Sequence, residues 1–396
     1  MVIKKIAFVS YGLFLSAVIG LIAAVFLVLE NFITEIVWHG QNHFVQTFVV
    51  LVGSVILYFL LKKWPNLPKT THDSIKELKE NQTIDYQDVF LNLLVTIVIL
   101  GFGAGVGPEA ALLSAIISLS IWQADNLRYF YFNYEELLQL PLKQVFKRLF
   151  DPFNYRQKYN AQKAIKNPKL IKWKKTLYFV FTVNGVLAFG LLIKQTDQPS
   201  FITKLGQTHW TWQQLWVIPV LLVIGIIVGK ILKLASQLFE KMLDRLNLSL
   251  AIKVLLGALG IIVVAFFAPD LLFSGQHSLH LLVTTWSQKP ALELFVLALL
   301  KLIFLVWCLN LHWRGGDIFP ITFAALTAGF AMAQLLNVDV LLVVAVFATV
   351  LMSELLSPIV AGIFLILFFP IQLSAIIVLV AAIMWLKNKY LGGFYD

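Results

Sequence analysis

Charged residues are scarce in this chain. Asp, Glu, Lys and Arg make up 13% of its 396 residues, whereas hydrophobic residues make up 59%, and the mean hydropathy is +0.83. Ordinary soluble domains carry about 25% charged residues, so that class is excluded and an integral membrane protein is predicted. The apolar segments lack polar–apolar alternation, which excludes a β-barrel and leaves an all-α membrane fold.

Cysteine and catalytic signatures are equally scarce. Cys308 is the only cysteine, so no internal disulfide can form. His39 and His43 have the spacing of helical metal ligands, but no third ligand accompanies them, and their aromatic neighbours indicate a membrane-interface belt. Adjacent hydrolase residue types at 72–74 cannot form a catalytic triad unaided. The sequence therefore predicts no enzyme, no metal site and no cofactor.

Long apolar runs supply the predicted membrane helices. The runs that follow Pro108 and Pro320 are shorter than 18 residues, which favours half-spanning or tilted helices. Gly225 and Gly229 have the small-xxx-small spacing of helix packing. Apolar runs of spanning or near-spanning length lie near 7–37, 44–61, 89–106, 176–193, 216–234, 249–268, 291–311, 320–336, 339–352 and 356–386.

The basic residues give an orientation. Lys4 and Lys5 place the N-terminus in the cytoplasm of a multi-pass cell-membrane protein, by the positive-inside rule. Eleven Lys and Arg lie between Lys143 and Lys175, against the single acid Asp151, so the insertion 123–175 is also assigned to the cytoplasm. It can lie against anionic lipid headgroups. No nucleic-acid recognition module surrounds it, so nucleic acid is not an expected partner.

With this orientation, similar parts recur with opposite membrane direction. A span, a polar segment, an apolar run and a glycine-rich turn follow each other around 44–108 and again around 249–320. We therefore predict two inverted membrane repeats, 1–193 (with the insertion 123–175) and 194–396. Broken helices at matching places in two inverted halves point to a binding site near the bilayer midplane.

The two turns carry the functional signal. Each of the stretches 101–110 and 315–320 is rich in glycine, ends in proline and opens into an apolar run. Proline suits the first turn of a helix, and glycine lets the backbone turn sharply before it. A helix N-terminus offers unpaired N–H groups and a positive dipole end. The ligand that suits such an end is an anion.

These turns resemble those of the CLC family of chloride channels and proton-coupled chloride antiporters. Gly105-Val-Gly-Pro108 is similar to the family's Gly-Arg-Glu-Gly-Pro turn, and Gly316-Asp-Ile-Phe-Pro320 to its Gly-Ile-Phe-x-Pro turn. Leu272-Phe-Ser-Gly275 resembles the family's Leu-Phe-Ser/Gly-Gly stretch, which opens its second repeat. The likeness covers roughly 44–123 and 210–390 and fails across 123–175. It implies the CLC fold, a homodimer, and chloride bound by main-chain N–H groups of Gly105, Val106, Gly107, Asp317, Ile318 and Phe319.

Three departures from the family pattern matter. Val106 lies where the family has its gating glutamate, and valine can neither compete with an anion nor carry a proton. The family's first anion motif is replaced by the segment 67–74, in which Ser74 is a loose candidate for the hydroxyl ligand. Tyr390 is a weak counterpart of the pore tyrosine.

Three acids lie in or beside apolar runs. Glu109 begins the helix after Pro108. It either has a functional role, as intramembrane acids commonly do, or only stabilises the helix by its favourable interaction with the helix dipole. Beside an anion, its side chain has to point away or be protonated. Asp317 has Arg314 as a local charge partner. Glu354 is expected to cap the helix near Pro358, with a proton path as the alternative.

The expected function is therefore anion transport across a membrane, with chloride first, and passive conduction is favoured because of Val106. The alternatives are a secondary transporter of another solute coupled through an intramembrane glutamate, or a non-conducting relative.

The predicted topology can be tested at position 160. In a Cys308-free protein, Asn160→Cys should not react with an impermeant thiol reagent added to intact cells, because the basic insertion is cytoplasmic. Permeabilised cells supply the positive control. Ready labelling of intact cells would reverse the whole orientation.

Overall fold

The computed structural model describes residues 2–40, 42–151, 154–160, 168–196 and 202–391. All regular elements in these ranges are helical, which confirms the all-α prediction. Parts of the predicted basic insertion, at 152–153 and 161–167, lie outside the described residues. The first eight α-helices are α1 (Val2–Trp38), α2 (His43–Lys63), α3 (Thr71–Asn81), α4 (Val89–Gly101), α5 (Glu109–Phe132), α6 (Tyr134–Gln139), α7 (Leu142–Leu149) and α8 (Pro168–Ile193).

The second half of the chain is helical as well. Short 3₁₀ turns separate some of its helices. The run predicted at 356–386 is broken by Pro370 into two helices rather than forming one. The helices are α9 (Val217–Arg245), α10 (Leu250–Phe267), α11 (Gln276–Thr285), α12 (Ala291–Asn310), α13 (Ile318–Gln334), α14 (Val340–Leu355), α15 (Pro358–Ile366) and α16 (Ser374–Leu391).

Several helices are long and apolar enough to cross a bilayer. Eight such spans lie in the described ranges, on α1, α2, α5, α8, α9, α10, α12 and α16. The buried helices α13 and α14 have 17 and 16 residues. Each is about 25 Å long, short of the ~30 Å hydrocarbon core. The protein is thus a multi-pass membrane protein with short helices buried among longer ones.

The chain forms two compact units. Unit 1 comprises Met1–Ile36, Asn66–Ile97 and Ala110–Gln198, and unit 2 comprises Val37–Pro65, Val98–Glu109 and Pro199–Asp396. The predicted repeat boundary at 193/194 stays a prediction. The core of unit 1 joins α1, α5, α6 and α8 through buried aromatic and leucine side chains, among them Tyr11, Leu15, Leu127, Phe130, Tyr134, Leu137, Leu177 and Phe181.

Unit 2 is built around α13 and α14. Helix α14 packs against α9, α13, α15 and α16, and α13 packs against α12. Glycines permit the approach of α9: a Cβ at Gly225 would lie 2.7 Å from Val350 Cγ1, and one at Gly229 would lie 2.6 Å from Glu354 Cβ. The packing role predicted for these two glycines is confirmed.

The order of elements repeats as the sequence predicts. A span, a short helix, an apolar helix, a glycine turn and another helix occur as α2–α5 and again as α10–α13. Helix α5 begins at Glu109, directly after Pro108. Helix α13 begins at Ile318, so Pro320 is its third residue rather than its first. The difference costs no hydrogen bond, because N–H groups of the first turn lack an intrahelical acceptor anyway.

The expectation that Glu354 caps the helix at Pro358 is wrong. The cap is Ser357, whose hydroxyl accepts a hydrogen bond from the Val360 N–H at 3.3 Å. Glu354 instead forms an ion pair with Lys387 of α16. The pair is largely buried, with side-chain exposures of 7% for Glu354 and 17% for Lys387. It therefore ties α16 to the end of α14.

Breaking this pair should destabilise unit 2. Glu354→Gln leaves the Lys387 charge buried without a partner, which costs about 3–5 kcal/mol, and the thermal midpoint in detergent should fall. Adding Lys387→Met should recover much of the loss. The exposed Lys289–Glu293 pair is the control, since Glu293→Gln should cost less than about 1 kcal/mol. Equal losses of stability in Glu354→Gln and Glu293→Gln would contradict a buried Glu354–Lys387 ion pair.

Candidate functional site: the paired glycine turns

The two glycine turns predicted to bind an anion lie against each other. The Gly107 N–H donates to the Gly316 carbonyl and the Gly316 N–H donates to the Gly107 carbonyl, both at 2.7 Å. These reciprocal bonds form an isolated antiparallel bridge. The starts of α5 and α13 therefore lie much closer together than about 15 Å, which is half the thickness of the hydrocarbon core.

Neighbouring side chains fill the space beside the turns. A Cβ at Gly315 would lie 2.4 Å from Val106 Cγ2, and a Cβ at Gly105 would lie 2.4 Å from the Phe304 ring. Val106 itself is fully buried. The position that resembles the family's gate thus holds a packed apolar side chain against the opposite turn.

A carboxylate lies over the bridge. A Cβ at Gly107 would be 1.9 Å from Glu109 Oε2, and one at Gly316 would be 2.1 Å from Glu109 Cδ. Glu109 Oε1 accepts a hydrogen bond from the Phe319 N–H at 3.1 Å, and the Ile318 N–H also interacts with this carboxylate. The first turn of α13 therefore already has a negative group of this chain at its N–H groups.

This carboxylate is only half satisfied. Glu109 is 9% exposed, and its Oε2 has no hydrogen-bond partner within the described part of the chain. An ionised carboxylate oxygen buried without a donor is costly. The side chain does not point away from the turns, which was the first of the two alternatives that the sequence leaves for Glu109. The second alternative, protonation beside a bound anion, stays a prediction.

The predicted N–H donors have different surroundings. The Gly107 N–H donates to the Gly316 carbonyl, and the Phe319 N–H donates to Glu109 Oε1. The Gly105 N–H donates to Cys308 Sγ at 3.3 Å. Asp317 and Ile318 are half-buried as residues. That these N–H groups bind an anion stays a prediction.

Lys301 is a residue of this region that the sequence analysis missed. It is fully buried in α12, and its ammonium donates to the carbonyls of Leu271 at 2.8 Å and Phe273 at 2.5 Å. A lone base inside the apolar run 291–311 was the available signal, because ionisable residues within membrane segments are rare and mark function.

Other predicted site residues have separate environments. Ser74 belongs to unit 1, where its buried hydroxyl pairs with that of Ser114 at 2.7 Å. Tyr390 lies in the last turn of α16 and is 69% exposed. Arg314 is exposed and forms no ion pair with Asp317 among the described residues. The expected charge partner of Asp317 is therefore not observed, because the Arg314 side chain extends to the surface.

Fold and site together define a multi-pass membrane protein with paired helix N-termini in its interior. The sequence of residues 173–385 matches the family described as voltage gated chloride channel. This match covers more than half of the chain, which therefore belongs to the CLC family of anion transport proteins, as its turns predict. No curated protein sequence matches it.

Solved structures agree on the fold. A CLC-type fluoride/proton antiporter is 15% identical, with a TM-score of 0.67 over 98% of this chain and 97% of that chain. A slow cyanobacterial Cl⁻/H⁺ antiporter is also 15% identical, with a TM-score of 0.68 over 97% of this chain and 95% of that chain. At this identity the similarity establishes the CLC fold alone.

The geometry of the bridge can be tested by adding one methyl group. Gly316→Ala places a Cβ inside the Glu109 carboxylate, and overpacking of this kind costs about 1–3 kcal/mol, so the thermal midpoint should fall. Glu109→Ala in the same protein should recover much of the loss. Gly190→Ala is the control, because nothing lies within 4 Å of its added Cβ.

If Gly316→Ala is as stable as Gly190→Ala, the Glu109 carboxylate does not lie over the Gly107–Gly316 bridge.

Proposed function

We propose that this protein moves a small monovalent anion, with chloride as the first candidate, past the N-terminus of α13. The observation that carries the proposal is the Glu109 carboxylate, an anionic group of the chain that is bound to the Phe319 N–H over a bridge of two glycines. A site that holds one carboxylate has the charge and the donors for a halide of similar size.

Glu109 is then a competitor of the transported ion. An anion can use the N–H groups of Ile318 and Phe319 only when the carboxylate leaves them or is neutralised, since two negative charges at one helix end repel. A proton on Glu109 removes that repulsion and supplies the O–H donor that its unpartnered Oε2 lacks. Transport is therefore tied to the protonation of one buried side chain.

Passive conduction stays our first prediction for the mode of transport. Its basis is Val106, which cannot ionise and packs against Gly315. Weak binding at successive sites is what conduction requires, and a helix end contributes only about 0.3–2 kcal/mol.

Proton-coupled exchange is the second candidate, and one observation favours it. Glu109 brings an ionisable group to the turns from a position three residues after Val106. A carboxylate that alternates between the α13 donors and another environment carries a proton across the membrane in the direction opposite to the anion. The two solved structures described above are a fluoride/proton antiporter and a Cl⁻/H⁺ antiporter.

Chloride flux from proteoliposomes separates the two modes. A proton gradient should drive chloride uphill only in the exchanger. In a passive pathway, flux follows the chloride gradient alone. A non-conducting relative, the remaining alternative, would show neither flux.

Glu109→Gln tests the competition directly. The amide keeps the side-chain shape and an acceptor for the Phe319 N–H but carries no charge. We expect chloride affinity at neutral pH to rise at least about tenfold, because a nearby like charge is removed, and flux to lose its pH dependence. Isothermal titration with chloride and flux at several pH values would measure both effects. Glu293→Gln, at an exposed acid of the same unit, is the control.

A purely structural cap predicts something else. If Glu109 only caps α13, then Glu109→Gln should lower stability slightly and leave chloride affinity and the pH profile unchanged. That result would remove Glu109 from the pathway.

The homodimer, the cell membrane and the cytoplasmic N-terminus belong to this proposal as well. They rest on the resemblance to the CLC family and on the distribution of Lys and Arg.

A further inference from the structure

The insertion between α5 and α8 presents an amphipathic helix with an uncovered apolar stripe. On α7 and the residue after it, Leu142, Phe146 and Phe150 recur at intervals of four and are 77%, 58% and 49% exposed. Side chains four residues apart lie on one face of a helix. Large apolar side chains in a row on a soluble surface are unusual and mark an interaction site.

Contacts within unit 1 place the helices on either side of α7 at the N-terminal end of α1. The Lys4 ammonium lies 4.7 Å from the Tyr131 ring centroid and 5.0 Å from that of Tyr134. The rings of Phe8 and Trp173, at the start of α8, are 6.1 Å apart. The end of α5 and the start of α8 therefore both lie beside the beginning of α1.

Two further contacts give the level of α7 along α1. The Tyr11 hydroxyl donates to the Leu149 carbonyl at 2.7 Å, and the Phe14 and Phe150 rings meet edge to face at 5.0 Å. Tyr11 and Phe14 lie about 14–18 Å along α1 from its first residue. A helix of 37 residues is about 55 Å long, so when centred it extends about 12 Å beyond each hydrocarbon boundary.

The contact therefore falls a few ångströms inside that boundary. Interfacial amphipathic helices lie at this level, with their apolar face about 5–10 Å into the headgroup–acyl region. Phe14 is itself 44% exposed on a membrane-spanning helix, so the stripe of α7 continues a surface that already faces lipid.

The charges beside the stripe suit an anionic surface. Lys143 and Lys147 are exposed one turn apart, and neither has an ion-pair partner in the part of the chain that the structure describes. Arg148, in contrast, is paired with Glu136 at 2.5 Å. Lysine side chains next to an inserted apolar face can extend to lipid phosphates.

We propose that α7 is an in-plane membrane anchor: Leu142, Phe146 and Phe150 insert among acyl chains, and Lys143 and Lys147 bind the phosphates of anionic phospholipids. The proposal does not rest on the anion pathway, because all of its residues belong to unit 1 and its test does not measure transport.

Spin labels on the full-length protein in nanodiscs test the insertion. A nitroxide at Phe146→Cys should be relaxed by oxygen and shielded from a water-soluble nickel chelate, and the matched control at Gln144→Cys, on the opposite face, should show the reverse. Cys308 is fully buried, so unsubstituted protein serves as the labelling control. A label at 146 that is open to the chelate places α7 in water and overturns the proposal. Shielding from both relaxants indicates a protein partner, such as a second copy, and also overturns it.

Lipid binding tests the charges without disturbing the apolar stripe. Native mass spectrometry should show phosphatidylglycerol affinity reduced about fivefold for each of Lys143→Gln and Lys147→Gln, with phosphatidylcholine binding unchanged. Lys79→Gln, at an exposed lysine of α3, is the control. No loss in the two α7 variants, or an equal loss in the control, would refute a specific role for these lysines.

Discussion

The site depends on one close approach between two stretches of backbone. Gly107 and Gly316 exchange two hydrogen bonds of 2.7 Å, and this is feasible in a membrane interior because each peptide satisfies the other's polar groups. A side chain at either position would enter the Glu109 carboxylate. The absence of two Cβ atoms thus joins the start of α5 to the start of α13 and leaves room for one carboxylate between them. Everything else near the site, from Val106 to Phe304, packs around that arrangement.

The pairing also changes what a glycine-rich turn offers a ligand. Such a turn is expected to leave its N–H groups free for an anion. Here the N–H groups of Gly107 and Gly316 each donate to the other residue's carbonyl. At the first turn of α13, a carboxylate of the chain already accepts the Phe319 N–H. In the transport proposed above, an anion site with such an internal competitor binds weakly, and weak binding favours turnover over retention.

The sequence predicted the helices and the two turns because both signals are local. Apolar run length fixes which segments need a membrane, and glycine followed by proline fixes where a helix begins. It did not predict the neighbours of Glu109, Lys301 or Glu354, because each of these side chains contacts groups distant in sequence. These groups are Phe319, the carbonyls of Leu271 and Phe273, and Lys387. Periodicity reveals which face of a helix is apolar but not which partner a buried charge will meet.

The position of the competing carboxylate follows from helix geometry rather than from the motif alone. Val106 lies before the bridge and packs across it against Gly315, whereas Glu109 is the first residue of α5 and its side chain reaches back over Gly107. Side chains in the first helical turn point toward the N-terminus, so an acid just after the proline reaches back over the bridge. An ionisable group therefore lies at the turns although position 106 holds valine. The Cα of Glu109 is fixed by α5, so only rotation about its three side-chain torsions can change the distance between its carboxylate and the Phe319 N–H.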